Sequence, residues 1–305
     1  MQNQIHKLIM ITLFLPLLSG CGVFTPNEGD FITDSNWNID QVILSCGNTK
    51  NDADCNGSVG VLFHRKRNFT GDYFTSRCTA WLVASDVIAT NMHCVDDEHN
   101  GMTNVSVKET FFKLVETVAG HEKSIKATRL IKGYKNKEKG LDYAFLKLEK
   151  SINKVPVIKI NPTPLINHTA VRAVSVNDKL QMKKNPTHFQ LDSYDNCEVS
   201  MKLAQALSIN YNEKITKFSS SRQGSIIGLE NCPIVGGNSG SALIDTAGSA
   251  RGIIAWGYTD KEKNTNEDKI GGASSFTCIP YNLDSNELYK QDATCDIVPS
   301  ERYWL

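Results

Sequence analysis

Three residues of this chain have the types needed to do chemistry together. Ser239 lies in Gly236-Gly237-Asn238-Ser239-Gly240-Ser241, His93 in Ala89-Thr90-Asn91-Met92-His93-Cys94, and Asp142 heads the run Asp142-Tyr143-Ala144-Phe145-Leu146-Lys147-Leu148. A serine hydroxyl is a poor nucleophile at neutral pH. It attacks a carbonyl when an imidazole takes its proton and a carboxylate holds that imidazole in the right tautomer. Ser239 fits the nucleophile, His93 the general base and then acid, and Asp142 the group that orients His93. Glycines beside Ser239 permit a tight turn, in which the amides of Gly237 and Ser239 form an oxyanion hole for a tetrahedral intermediate. Singly the pieces are ordinary, since Gly, Asn and Ser compose many surface turns and His93 is one of seven histidines. Their joint order, His then Asp then Ser, is what points to acyl transfer. That order, and the missing last glycine in Gly237-x-Ser239-x-Ser241, exclude the nucleophile elbow of ester and lipid hydrolases.

With the segments around them, these motifs resemble the chymotrypsin-like (trypsin-fold) serine proteases, in particular bacterial members carrying Thr-Asn-x-His and Gly-Asn-Ser-Gly. The likeness runs from about Ser58 to Leu283. Cys78-Thr79-Ala80-Trp81-Leu82-Val83 and Val87-Ile88-Ala89-Thr90 resemble the strands leading to the family's histidine. Gly252-Ile253-Ile254-Ala255-Trp256-Gly257 resembles its substrate-pairing strand. The resemblance implies an all-β fold of two six-stranded antiparallel Greek-key barrels with the active site between them. It also implies peptide-bond hydrolysis through an acyl-enzyme without a cofactor or metal, and a Cys78–Cys94 disulfide. Two departures matter. Asn238 replaces the aspartate that captures a new N-terminal ammonium in animal digestive enzymes, so hydrogen bonds of its amide are expected to hold the oxyanion loop. Ala255 stands where many members place a serine hydroxyl on the catalytic aspartate, which leaves room for an alternative: a catalytically weak or inactive protease-like lipoprotein that serves as a binding or adhesion module. Substrate-binding positions fall at Pro233, Ile234, Trp256 and Gly257. Pro233 in place of an acid disfavours a basic P1 residue and suggests a small or medium uncharged one.

The elements that must position these residues are short. Val59 to Phe63, Trp81 to Ala84, Val87 to Thr90, Phe111 to Val115, Tyr143 to Leu148, Val171 to Val176, Ser225 to Leu229, Ser241 to Ile244 and Gly252 to Ala255 read as strands bounded by turn residues. Met201 to Ala206 fits a helical turn or a strand. A chain of 305 residues that is 40% hydrophobic buries a core large enough for one two-barrel unit of roughly two hundred residues or more.

Residues 1–20 have the form of an export signal: Lys7, then the apolar Leu8 to Leu18, too short for a comfortable span, then Leu18-Ser19-Gly20-Cys21. This resembles a bacterial lipoprotein signal and implies lipidation of Cys21. The expected divisions are therefore 1–20 signal, 21–45 lipidated N-terminus and spacer, and 46–305 peptidase domain, with barrels at about 58–160 and 161–290. The expected place is the bacterial cell envelope, anchored by lipid, with the outer membrane favoured and release from the cell as a variant of it. Of nine cysteines, Cys21 is set aside, and the even remainder suits an oxidising compartment. Beyond Cys78 with Cys94, local closure favours Cys46 with Cys55, Cys197 with Cys232 and Cys278 with Cys295. No C-x-x-C or spaced histidine pair suggests zinc. Lys plus Arg equals Asp plus Glu at 33 each, so no nucleic-acid groove is indicated. The expected partners are a peptide or protein substrate and, through the lipid, a membrane, with the chain a monomer. Lys132 to Lys139 reads as a solvated basic loop, and Thr259 to Lys269 as an overhang of the substrate pocket.

Overall fold

The computed structural model describes residues 39–46, 57–67, 73–115, 123–136, 140–153, 155–177, 188–201, 203, 225–234, 237–258 and 270–281. Fourteen strands carry the fold: β1 (Ile43–Cys46), β2 (Val59–Arg67), β3 (Tyr73–Ala84), β4 (Val87–Thr90), β5 (Thr103–Ser106), β6 (Thr110–Leu114), β7 (Ile125–Asn136), β8 (Leu141–Leu148), β9 (Ala170–Asn177), β10 (His188–Val199), β11 (Ile226–Glu230), β12 (Ala242–Asp245), β13 (Ala250–Tyr258) and β14 (Ile270–Ser275). The first sheet runs β5-β7-β6-β2-β3-β4-β8, and a further β7–β8 pairing closes six of its strands into a ring with β5 attached to β7. The second runs β1-β10-β11-β14-β13-β12-β9 and is closed by β10–β9. Closure removes the exposed edges that an open antiparallel sheet must otherwise protect. The two-barrel, all-β expectation is met. The parallel pairing of β1 on β10 lies outside the rings.

Each barrel has its own apolar filling. Leu82, Ile88, Phe112, Leu130 and Leu146 pack inside the first, and Ala173, Ile227, Leu229, Leu243 and Ile254 inside the second. A third cluster joins the barrels, with Phe63, Trp81, Tyr143 and Phe145 of the first against Val174, Val176, Phe189 and Ile253 of the second. Trp81 and Phe276 meet edge to face with ring centroids 6.0 Å apart, a favoured aromatic geometry. β3, β4 and β8 send alternate residues into this shared layer and the others into the first barrel.

All nine strand readings correspond to strands, most of them longer than the apolar runs that signalled them. β1, β5, β7, β10 and β14 were not anticipated. Lys132 to Lys139 is corrected in part. Lys132 to Asn136 finish β7, with Lys132 only 1% exposed, while 137–139 lie outside the described residues. In the stretch left open between helix and strand, Met201 and Leu203 are helical. Residues 1–38, with Cys21, and the overhang Thr259 to Lys269 are outside the described residues. No helix among the described residues is long and apolar enough to cross a membrane.

Candidate active site

His93 sits in a 3-10 turn, Met92–Cys94, directly after β4. The disulfide between Cys94 and Cys78 of β3 ties that turn to the barrel wall. The loop that follows is fixed at the other end. Asn100 Nδ2 donates to the Lys135 carbonyl (3.0 Å), and the Lys135 N–H donates to Asn100 Oδ1 (2.7 Å). Lys135 also pairs with Asp97 at 2.8 Å. Loop and β7 are thereby held together just before the hairpin that leads to Asp142.

Asp142 is the second residue of β8 and is 5% exposed. Its Oδ2 accepts from His93 Nδ1 at 2.6 Å. Its Oδ1 accepts the backbone N–H groups of Met92 (2.7 Å) and His93 (3.2 Å). A carboxylate held by three donors stays in place, and as the acceptor of the Nδ1 hydrogen it favours the imidazole tautomer with a free lone pair on Nε2. The Asp142 backbone is held as well. Asn91 Nδ2 donates to its carbonyl (2.6 Å), and its N–H donates to Ser274 Oγ (2.9 Å). The hydroxyl missing at Ala255 thus has a counterpart in Ser274, which acts on the aspartate's main chain rather than on its carboxylate.

Ser239 is half-buried, in the turn before β12. Its carbonyl accepts the N–H of Thr79 in β3 (2.8 Å), and the Gly240 N–H donates to the Ile254 carbonyl (2.8 Å). Gly237 and Gly240 have φ of 87° and 89°, a region that costs residues with a Cβ 1–2 kcal/mol or more. At Gly240 a Cβ would also lie 2.0 Å from the Thr79 carbonyl oxygen. Asn238 is fully buried, and its Nδ2 donates to the Val176 carbonyl of β9 (3.0 Å). Ser241 Oγ donates to the Asn238 carbonyl (2.7 Å) and lies 2.5 Å from Ser175 Oγ. Hydrogen bonds of the Asn238 amide therefore do hold this loop. β4 and β8 bring His93 and Asp142 together, while the β11–β12 connection that carries Ser239 is tied through Thr79 to β3, whose Cys78 is bonded to Cys94, the neighbour of His93.

Of the expected substrate-binding residues, Pro233 is half-buried and Ile234 is buried in the second barrel's core. Trp256 and Gly257 continue β13 opposite Gly272 and Gly271 of β14. Cys197 and Cys232 are bonded as expected. Cys46 and Cys278 are also disulfide-bonded; the partners expected for them, Cys55 and Cys295, lie outside the described residues. The Cys78 and Cys94 sulfurs lie near His93, but they are bonded to each other and offer no thiolate to a metal. Asn91, Ser274 and Thr79 escaped the sequence reading as supports of the site, although Asn91 and Thr79 lie inside the quoted motifs.

The chain belongs to the trypsin-like peptidase family: residues 78–253, more than half of it, match the family model described as "Trypsin-like peptidase domain". Among solved structures it is similar to the thermostable serine protease AL20 from an extremophilic microorganism, at 17% identity over 73% of this chain and 93% of that one (TM-score 0.47). It is similar to the protease Anisep from Arthrobacter nicotinovorans, at 14% identity over 72% and 90% (TM-score 0.45). A Glu endopeptidase solved in complex with MPD gives 18% identity over 71% and 84% (TM-score 0.44). No curated protein matches the sequence.

Proposed function

We propose that the protein is a lipid-anchored serine endopeptidase of the bacterial envelope, with His93, Asp142 and Ser239 as its triad. The observation that supports this most is the Asp142 carboxylate. One oxygen is pinned by two backbone amides and the other lies 2.6 Å from His93 Nδ1. Such an arrangement prepares Nε2 to take the Ser239 proton as Oγ attacks a peptide carbonyl. The oxyanion then rests on the Gly237 and Ser239 amides. His93 returns the proton to the leaving amine, and a water activated by the same imidazole hydrolyses the acyl-enzyme. Apart from the substrate and this water, the steps draw on groups of the chain itself. The P1 residue is small or medium and uncharged, in keeping with Pro233, which offers no acid to a basic side chain.

The test is fluorophosphonate labelling of the oxidised protein, wild type against Ser239→Ala, with the adduct located by mass spectrometry. Labelling confined to wild-type Ser239, with cleavage of peptide substrates, supports the reading. An unlabelled, folded wild type overturns it and favours a binding role. Lipid on Cys21 is tested separately by the mass of the N-terminal peptide from the native host, where an unmodified Cys21 thiol refutes anchoring.

A further inference from the structure

Thr79 of β3, in the first barrel, touches the Ser239 loop and the body of the second barrel at once. Its Oγ1 donates to the Gly237 carbonyl (3.0 Å) and accepts the Val176 N–H of β9 (2.9 Å). Its own N–H binds the Ser239 carbonyl (2.8 Å), and its carbonyl accepts Thr90 Oγ1 (2.9 Å). A threonine hydroxyl has one proton to give. Because Val176 arrives as a donor, that proton must go to Gly237, so the direction of the bond is decided by the partners. The residue is fully buried, and water is not needed to satisfy either group.

We propose that Thr79 is a positioning residue for the oxyanion hole, acting through the backbone of Gly237. The two carbonyls it holds, on Gly237 and Ser239, belong to the two residues whose amides would face the oxyanion. With the Gly237 carbonyl fixed and its φ at 87°, the aim of the Gly237 N–H is narrowly limited. The Val176 residue completes the device. Its N–H braces Thr79 and its carbonyl takes Asn238 Nδ2 (3.0 Å), so one residue of β9 supports the loop on both sides. Cys78, next to Thr79, is bonded to Cys94, next to His93. The same short piece of β3 therefore sets the oxyanion loop and the base relative to each other. Such a hole acts on charge that develops in the transition state, and misaiming it lowers kcat more than it raises KM.

This inference rests on the catalytic reading of Ser239, and its test separates the two. Thr79→Val keeps the shape and removes the hydroxyl; Thr79→Ser keeps the hydroxyl. The valine variant is expected to lose about 10- to 100-fold in kcat and in the rate of Ser239 phosphonylation, with KM within about threefold and the serine variant near wild type. Equal loss in both variants, a loss carried by KM, or no loss overturns the inference while wild-type labelling keeps the catalytic reading. If Thr79→Val does not fold, Thr79→Ala carries the same expectation. If wild-type Ser239 is not labelled, the catalytic reading fails, and exchange of the Gly240 and Ser241 amides decides whether Thr79 still sets the loop. Faster exchange in Thr79→Val than in Thr79→Ser supports it, and equal exchange refutes it.

Discussion

Replacing Asp142 by asparagine should cost about four orders of magnitude in kcat while leaving the fold intact, because the site decides which way the amide points. Oδ1 of Asp142 accepts two backbone N–H groups, at 2.7 and 3.2 Å. An asparagine turned with its NH2 toward those groups would set donor against donor in a pocket where the residue is 5% exposed. Leaving buried donors unpaired costs about 1–3 kcal/mol each, so the oxygen must keep the backbone side. The NH2 then faces His93 Nδ1, now obliged to accept, and the imidazole proton moves to Nε2. A ring protonated there cannot take the Ser239 proton. A loss of about 10⁴ in kcat is what such a tautomer reversal gives where the geometry is otherwise kept, or about 5.4 kcal/mol in barrier. The assay is kcat and KM on a cleaved peptide, with thermal unfolding as the control. A fall of less than tenfold in a folded variant would refute the argument that the Met92 and His93 amides fix the carboxylate.

Removing the Cys78–Cys94 bond by the double change to alanine releases a loop with a sequence separation of 16. It should cost about 3 kcal/mol, read from denaturant midpoints, with a further drop in Ser239 labelling because His93 adjoins the bridge. Gly240→Ala adds a Cβ 2.0 Å from the Thr79 carbonyl oxygen and 2.3 Å from Thr90 Oγ1 at a φ of 89°. A loss of about 3 kcal/mol or more is expected, and an unchanged melting temperature would show that β3 yields more easily than its burial implies. His64 is buried beside Thr110, and desolvation, with help from Lys66, brings its pKa from 6.5 down to about 4. Between those values the unfolded chain binds the extra proton. Stability is therefore full above about pH 6.5, declines as the pH falls toward 4, and is lower by about 3 kcal/mol below it. His64→Gln should flatten that limb in urea titrations, and an unaltered slope would exclude His64 as its source.

The family was legible because its motifs place particular residue types in local frames of glycine, cysteine and alternating apolar residues. Strands whose inward faces are continuous, such as β4 and β8, could be read for the same reason. β7 and β10 could not. Each is twelve residues long, β7 changes register twice against β8 and β10 once against β9, and such shifts break the two-residue alternation a strand is read by. β14, Ile-Gly-Gly-Ala-Ser-Ser, has little strand propensity and owes its form to β11 and β13 on either side. The supports of the triad were hidden for a related reason. Ser274, Asn91 and Thr79 are small or amide side chains whose partners are backbone groups of distant strands, and no spacing in the chain announces such a bond.

β1 makes a demand on the order of events during folding. Val42 and Leu44 are wholly buried, and the 3-10 turn before the strand is fastened to the first barrel, with Lys113 Nζ donating to the Asp40 carbonyl (3.1 Å). Yet the strand's ladder partner is β10, with Ile43 opposite His188 and Cys46 opposite Leu191. A ribosome makes β1 long before β10 exists, and closing so long a loop is slow. The segment nearest the start of the described fold must therefore wait, unpaired, until the second barrel has begun to close. Its docking ties the start of the described chain to the second barrel and adds Val42 and Leu44 to the apolar layer the two barrels share.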